Sequence, residues 1–256
     1  MGLFGRSTFL DKDLEGWTFE TWAWLMRTLG GMRRLQGTPL VLPSKDFFPP
    51  TDAVGAERGR YLFDLVRRWM GVGDWACALE SYERAPANAQ LGDLAIVTGP
   101  NAPSGTFRRV NGQPVVSYAL DLADQPRVLI ATLAHELSHY LVIDALGIEG
   151  PAPGGREAHE LTTELCVAYA GFAVFAANAA FEFEGYQFAG GQGWSSRRRG
   201  YFSERSWALA LAVFLELKGE AAPPGVLKPS VADLTRKATR YLKRNPDLLE
   251  PLRQIA

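Results

Sequence analysis

The chain has 256 residues, with 27 Lys and Arg against 28 Asp and Glu, and a formal charge of -1. That balance excludes a global electrostatic pull toward nucleic acid or anionic lipid, and 47% hydrophobic with 21% charged residues is too apolar for a disordered chain. Two cysteines cannot build a disulfide framework or a four-thiolate zinc site, and three histidines are few enough for their positions to be informative.

The length predicts one or two domains with a core that needs no staples. The start, Met1 to Ser7, lacks a basic region followed by an apolar run and so reads as having no secretory signal. Gly2 suggests myristoylation, but Arg6 stands where that signal wants Ser or Thr. Cys77 and Cys166 read as a reduced pair, which predicts a cytoplasmic protein.

Residues 1–50 carry Trp17, Trp22, Trp24, Phe47 and Phe48 and read as an aromatic-rich N-terminal extension. A helix is expected near 16–29, ended by Gly30-Gly31, with the tryptophans facing a core. Apolar spacing predicts a helix over about 52–71. Short apolar runs at 76–82, 93–99, 106–110 and 115–120 read as strands of one small sheet, with turns at Gly99-Pro100-Asn101 and Asn111-Gly112. Helices are then expected from about 124, capped by Asp124, to Leu146, where Gly147 ends it, and over 157–181. After a Gly-rich loop at 185–200 come helices at 203–218 and 231–244, the second capped by Ser230. The order of elements predicts an α+β fold, with a main domain over 51–220 and a helical tail over 221–256. The uncharged run from Leu165 to Phe181 falls just short of the roughly 18–20 residues that span a bilayer, so a buried helix is expected and no membrane span.

Two of the three histidines sit in His135-Glu136-Leu137-Ser138-His139. On a helix, residues four apart share a face, so both imidazoles can reach one metal ion. Glu136 lies roughly 100° round the helix from His135, placed to address a metal-bound water rather than to ligate. This is the H-E-x-x-H pattern of zinc hydrolases, in which zinc takes three protein ligands and keeps one open position. The flanks, Val128 to Ala134 and Tyr140 to Ile143, are apolar nearly all round and predict a buried helix. The metzincin extension is absent, since Val142 and Ala145 stand where Gly and His would be. His159, Glu160 and Glu164 remain as candidates for the third ligand.

With this motif and these acids the chain resembles the gluzincins, in which a Glu on a second helix completes the site. The resemblance implies a zincin-like fold: a small mixed sheet, a buried active-site helix, a second ligand-bearing helix and C-terminal helices. It implies that Glu160, 21 positions after His139, is the third zinc ligand, and that Glu164, one turn on, orients a zinc-bound histidine. The orienting residue in the thermolysin-like branch is typically Asp, and Glu164 is one methylene longer. Over about 130–215 the chain also resembles an uncharacterised bacterial family of zinc peptidases, through Glu160-Leu161-Thr162-Thr163-Glu164, the stretch Gly171 to Asn178, and Gly200-Tyr201-Phe202-Ser203-Glu204. The first 120 residues carry little of that resemblance.

The expected function is therefore zinc-dependent hydrolysis of a peptide or protein, with Glu136 as general base. No histidine is left over as a donor to the oxyanion, so Tyr201, with Arg199 beside it, is the expected donor. An edge strand among 105–120 is expected to pair with extended substrate. The basic residues of the last helix, Arg236, Lys237, Arg240, Lys243 and Arg244, read as a solvated face. The competing expectation is a zinc-binding module of the same fold that cleaves nothing.

Overall fold

The computed structural model describes residues 7–84, 90–91, 94–95, 104–179 and 202–256, with the side chains of 90–91, 94–95 and 145–149 outside that description. The fold is α+β. The chain divides into two compact units, one of residues 43–140 and one joining 1–42 to 141–256.

The unit formed by 43–140 begins with the third helix of the chain, α3 (Gly55–Trp69). Next come β1 (Ala78–Tyr82), the short antiparallel pair β2 (Gln90–Leu91) and β3 (Leu94–Ala95), then β4 (Gly105–Val110) and β5 (Gln113–Ala119). The main sheet has the order β1-β5-β4. β5 pairs antiparallel with β4 and parallel with β1. The expected hairpin forms at Asn111-Gly112, where both residues have positive φ (50° and 82°), the signature of a two-residue turn matched to strand twist. Central β5 is buried from Pro114 to Ala119, whereas β4 is a sheet edge among the described residues and is exposed at Arg108 to Val110.

A 3-10 turn, Leu120–Asp124, leads into α4 (Pro126–Glu149). Asp124 does not cap α4: Pro126 sets the first turn, Gln125 accepts the bond from Leu129 N–H, and the Asp124 carboxylate faces Arg58 at 3.4 Å. Pro at the first helical position carries its fixed φ at no hydrogen-bond cost. Gly147 does not end α4 either; the helix runs to Glu149, and Gly150 at φ 77° follows it. One interior glycine costs only about 1 kcal/mol, which the buried Leu129, Leu133, Leu137 and Leu141 outweigh.

The other unit is helical. α1 (Lys12–Leu29) starts earlier than its apolar spacing suggests because Asp11 caps it, accepting from Asp13 N–H. It ends at Gly30 in the left-handed region. α2 (Gly31–Gly37) follows. Trp22 and Trp24 are buried as expected.

The helix expected over 157–181 is broken. α5 spans His159–Tyr169, Gly171 turns the chain at φ 88°, and a helix (α6) resumes over 173–179. A Cβ at Gly171 would overlap the carbonyl oxygen of Pro39, and Gly171 accepts a hydrogen bond from Val41 N–H at 2.9 Å. This break divides the uncharged run, and no helix among the described residues is long and apolar enough to cross a membrane.

α7 (Glu204–Lys218) is capped by Ser203 and buried nearly all round. α8 (Pro229–Arg244) lays Val231, Thr235, Ala238 and Leu242 into the core at 3–4 residue spacing. Ser230 does not cap it; Pro229 opens the first turn, and the Ser230 hydroxyl donates to Glu204 instead. α9 (Glu250–Arg253) closes the chain.

Candidate metal centre

α4 presents the H-E-x-x-H run as a continuous helix. Its buried apolar neighbours on both sides hold the backbone, so the polar residues are fixed where they would not choose to be in isolation. The rings of His135 and His139 lie 4.7 Å apart, centroid to centroid, nearly perpendicular at 86°. α5 brings Glu160 in its first turn. One ligand atom each of His135, His139 and Glu160 lies within 4.8 Å of the others, and all three residues are half-buried.

Two imidazoles and a carboxylate are a donor set of catalytic zinc sites. Ligand atoms about 2.0–2.2 Å from one tetrahedral ion stand about 3.3–3.6 Å from each other. To close on such an ion the three side chains would draw together by at most about 1.5 Å. Among the described residues it is the one group of three or more His, Cys, Asp or Glu that satisfies this proximity.

The remaining expected residues are placed as follows. Glu136 is buried, at 6% exposure, and does not belong to the ligand group. Glu164 lies one turn beyond Glu160 on α5, equally buried, and is likewise outside that group. His159 precedes Glu160 at the helix start and is half-buried. Tyr201 and Arg199, together with the Gly-rich loop, lie outside the described residues.

Two neighbours of Glu136 were not singled out by sequence reasoning. Gly105 opens β4 directly against α4: a Cβ there would stand 2.7 Å from Thr132 Cγ2, 2.9 Å from Glu136 Cγ and 3.0 Å from Glu136 Oε1. Only glycine admits this approach, so the sheet edge meets the motif helix at the carboxylate. The second is Tyr82, at the end of β1, which interacts electrostatically with Glu136. Burial raises its phenol pKa, Arg84 opposes the rise, and the charges of Glu136 and Asp121 add to it. The phenol is thus a neutral donor at ordinary pH, within electrostatic reach of Glu136. Arg84 is itself tied to Asp121 at 3.5 Å and to the Ser104 hydroxyl at 3.3 Å. Gly105 could have been found only as a lone glycine beginning a strand; Tyr82 had no sequence signal.

No family model, curated protein or solved structure matches this chain.

Proposed function

We propose that this protein is a zinc-dependent metallohydrolase of zincin-like fold, acting on peptides. The observation that carries the reading is the convergence of His135, His139 and Glu160, with a buried carboxylate one residue after the first histidine. Bound there, zinc would act as a Lewis acid and lower the pKa of a coordinated water.

The chain's own residues supply the rest. Glu136, its carboxylate held against Gly105, takes a proton from the attacking water and later gives it to the leaving amine. Glu164 orients one of the ligating histidines by accepting its second ring N–H. An extended substrate lies antiparallel along the outer edge of β4, which begins at Glu136. Tyr82 and Tyr201 are the phenols offered as donors to the developing oxyanion. Neither Cys77 nor Cys166 is in a disulfide, which is in keeping with a reducing, cytoplasmic setting.

The test is metal analysis beside hydrolysis of an unstructured peptide. Wild type is expected to hold about one zinc per chain. Glu136→Gln keeps the zinc and loses hydrolysis, whereas His139→Ala loses both. A folded wild-type protein without affinity for zinc overturns the reading. Zinc binding with no hydrolysis by wild type leaves the binding-module reading in its place.

A further inference from the structure

Glu160 is delivered by a helix whose start is poorly anchored by its own sequence. The position before α5, Ala158, has no side-chain cap. The segment leading to it contains three glycines with positive φ: Gly150 at 77°, Gly154 at 78° and Gly155 at 59°. Such a segment has unusual freedom in the absence of an outside restraint. A carboxylate ligand two residues past it would share that freedom, and a metal site loses affinity when its ligands must be ordered on binding.

The restraint comes from α1. Trp17 Nε1 donates to the carbonyl oxygen of Pro153 at 2.9 Å, across 136 positions of sequence. The turn beside it is closely fitted: a Cβ on Gly154 would stand 3.1 Å from Trp17 Nε1 and 2.6 Å from Ala158 Cβ. Ala152, just before, is buried. Further along the same pair of helices, Trp22 meets Tyr169 edge-on with centroids 5.9 Å apart. The indole N–H is therefore a clasp on the loop, with the Gly155–Ala158 3-10 turn joining clasp to ligand.

We infer that Trp17 is a positioning residue of the metal centre, fixing the first turn of α5 so that the Glu160 carboxylate is held ready for the ion. The inference rests on the metal-site reading above and adds to it a residue that touches no ligand atom.

Trp17→Phe keeps most of the ring and removes the donor. Tyr169→Phe is the matched control: it removes the hydroxyl that donates to the Gly31 carbonyl at 3.1 Å from the far end of the same helix. Zinc affinity is measured on metal-free protein by chelator competition, and Co2+ is titrated with its visible absorption spectrum as readout. Wild type is expected to bind both ions. Trp17→Phe should weaken zinc about tenfold, in the range lost when an outer partner of a metal ligand is removed, and should alter the Co2+ bands, while Tyr169→Phe changes neither. Should Trp17→Phe not fold, Gly154→Ala presses on the clasp from the other side and should show the same loss. Equal affinities and identical Co2+ spectra in wild type and the clasp variant overturn the role of Trp17 and leave the site standing. An equal loss in Tyr169→Phe also overturns it, since the effect is then general destabilisation. A wild-type protein that binds neither ion overturns the metal site itself, and the clasp with it.

Discussion

The chemistry proposed for Glu136 depends on a residue that has no side chain. Gly105 lets the edge of β4 approach α4 until its Cα faces the Glu136 carboxylate. A methyl group there must displace Glu136 Cγ or Thr132 Cγ2, and both residues are buried, so neither moves freely. Gly105→Ala should therefore lower kcat by about 10–100-fold through misplacement of the base, while zinc content stays near wild type because no ligand is touched. Loss of zinc in parallel with activity would contradict that separation. Tyr82→Phe tests the phenol in electrostatic reach of the same carboxylate: kcat should fall with KM and zinc retained, and unchanged kcat would remove Tyr82 from the reaction. At this scale the histidine pair was legible because helical spacing alone puts His135 and His139 on one face. Gly105 was not legible, because it acts across a contact between β-strand and helix that local spacing does not encode, and Tyr82 was not, because its electrostatic interaction with Glu136 joins residues far apart in sequence.

At the scale of elements, the Asn111-Gly112 turn was legible from its own chemistry, whereas the caps expected at Asp124 and Ser230 were not, because a proline opens the first turn of both α4 and α8. The break between α5 and α6 was hidden. Apolar residues run through it without interruption, and a glycine in such a run reads as a helix interior. The carbonyl of Pro39 decides otherwise, by occupying the space a Gly171 Cβ would need. The consequence is that α5 stops after eleven residues, at Tyr169, and directs Glu160 and Glu164 independently of the helix that follows. Gly171→Ala meets two costs at once: an L residue at φ 88° and overlap with a backbone oxygen. The expected loss is about 2–4 kcal/mol, built from strained backbone and a displaced contact. Urea unfolding checks it, and a loss below about 0.5 kcal/mol, the size of an ordinary surface substitution, would show that the turn has no such constraint.

At the scale of the whole chain, the least legible fact is that residues 1–42 and 141–256 build one unit. Composition suggested an aromatic extension, but not which distant helices it joins. Glu15 shows how the joining works. It is buried on α1, at 4% exposure, and accepts from the backbone N–H groups of Phe9 at 2.7 Å and Leu10 at 3.2 Å and from the Tyr241 hydroxyl of α8 at 2.5 Å. Arg205 of α7 adds hydrogen bonds to the Phe9 carbonyl and lies over the Phe9 ring at 4.5 Å. One carboxylate thus ties the backbone at Phe9 and Leu10 to the last long helix, α8. Its loss should cost more than any one of its bonds, because buried donors left without an acceptor forfeit about 1–3 kcal/mol each. Tyr241→Phe removes one donor together with its need, and should cost about 1 kcal/mol. Glu15→Ala leaves two backbone N–H groups and a hydroxyl unanswered, and should cost about 3–5 kcal/mol in urea unfolding. The ratio of the two losses is the discriminating quantity. Equal losses would mean that solvent replaces the carboxylate at Phe9 and Leu10, and that the N-terminal segment is held by Arg205 instead.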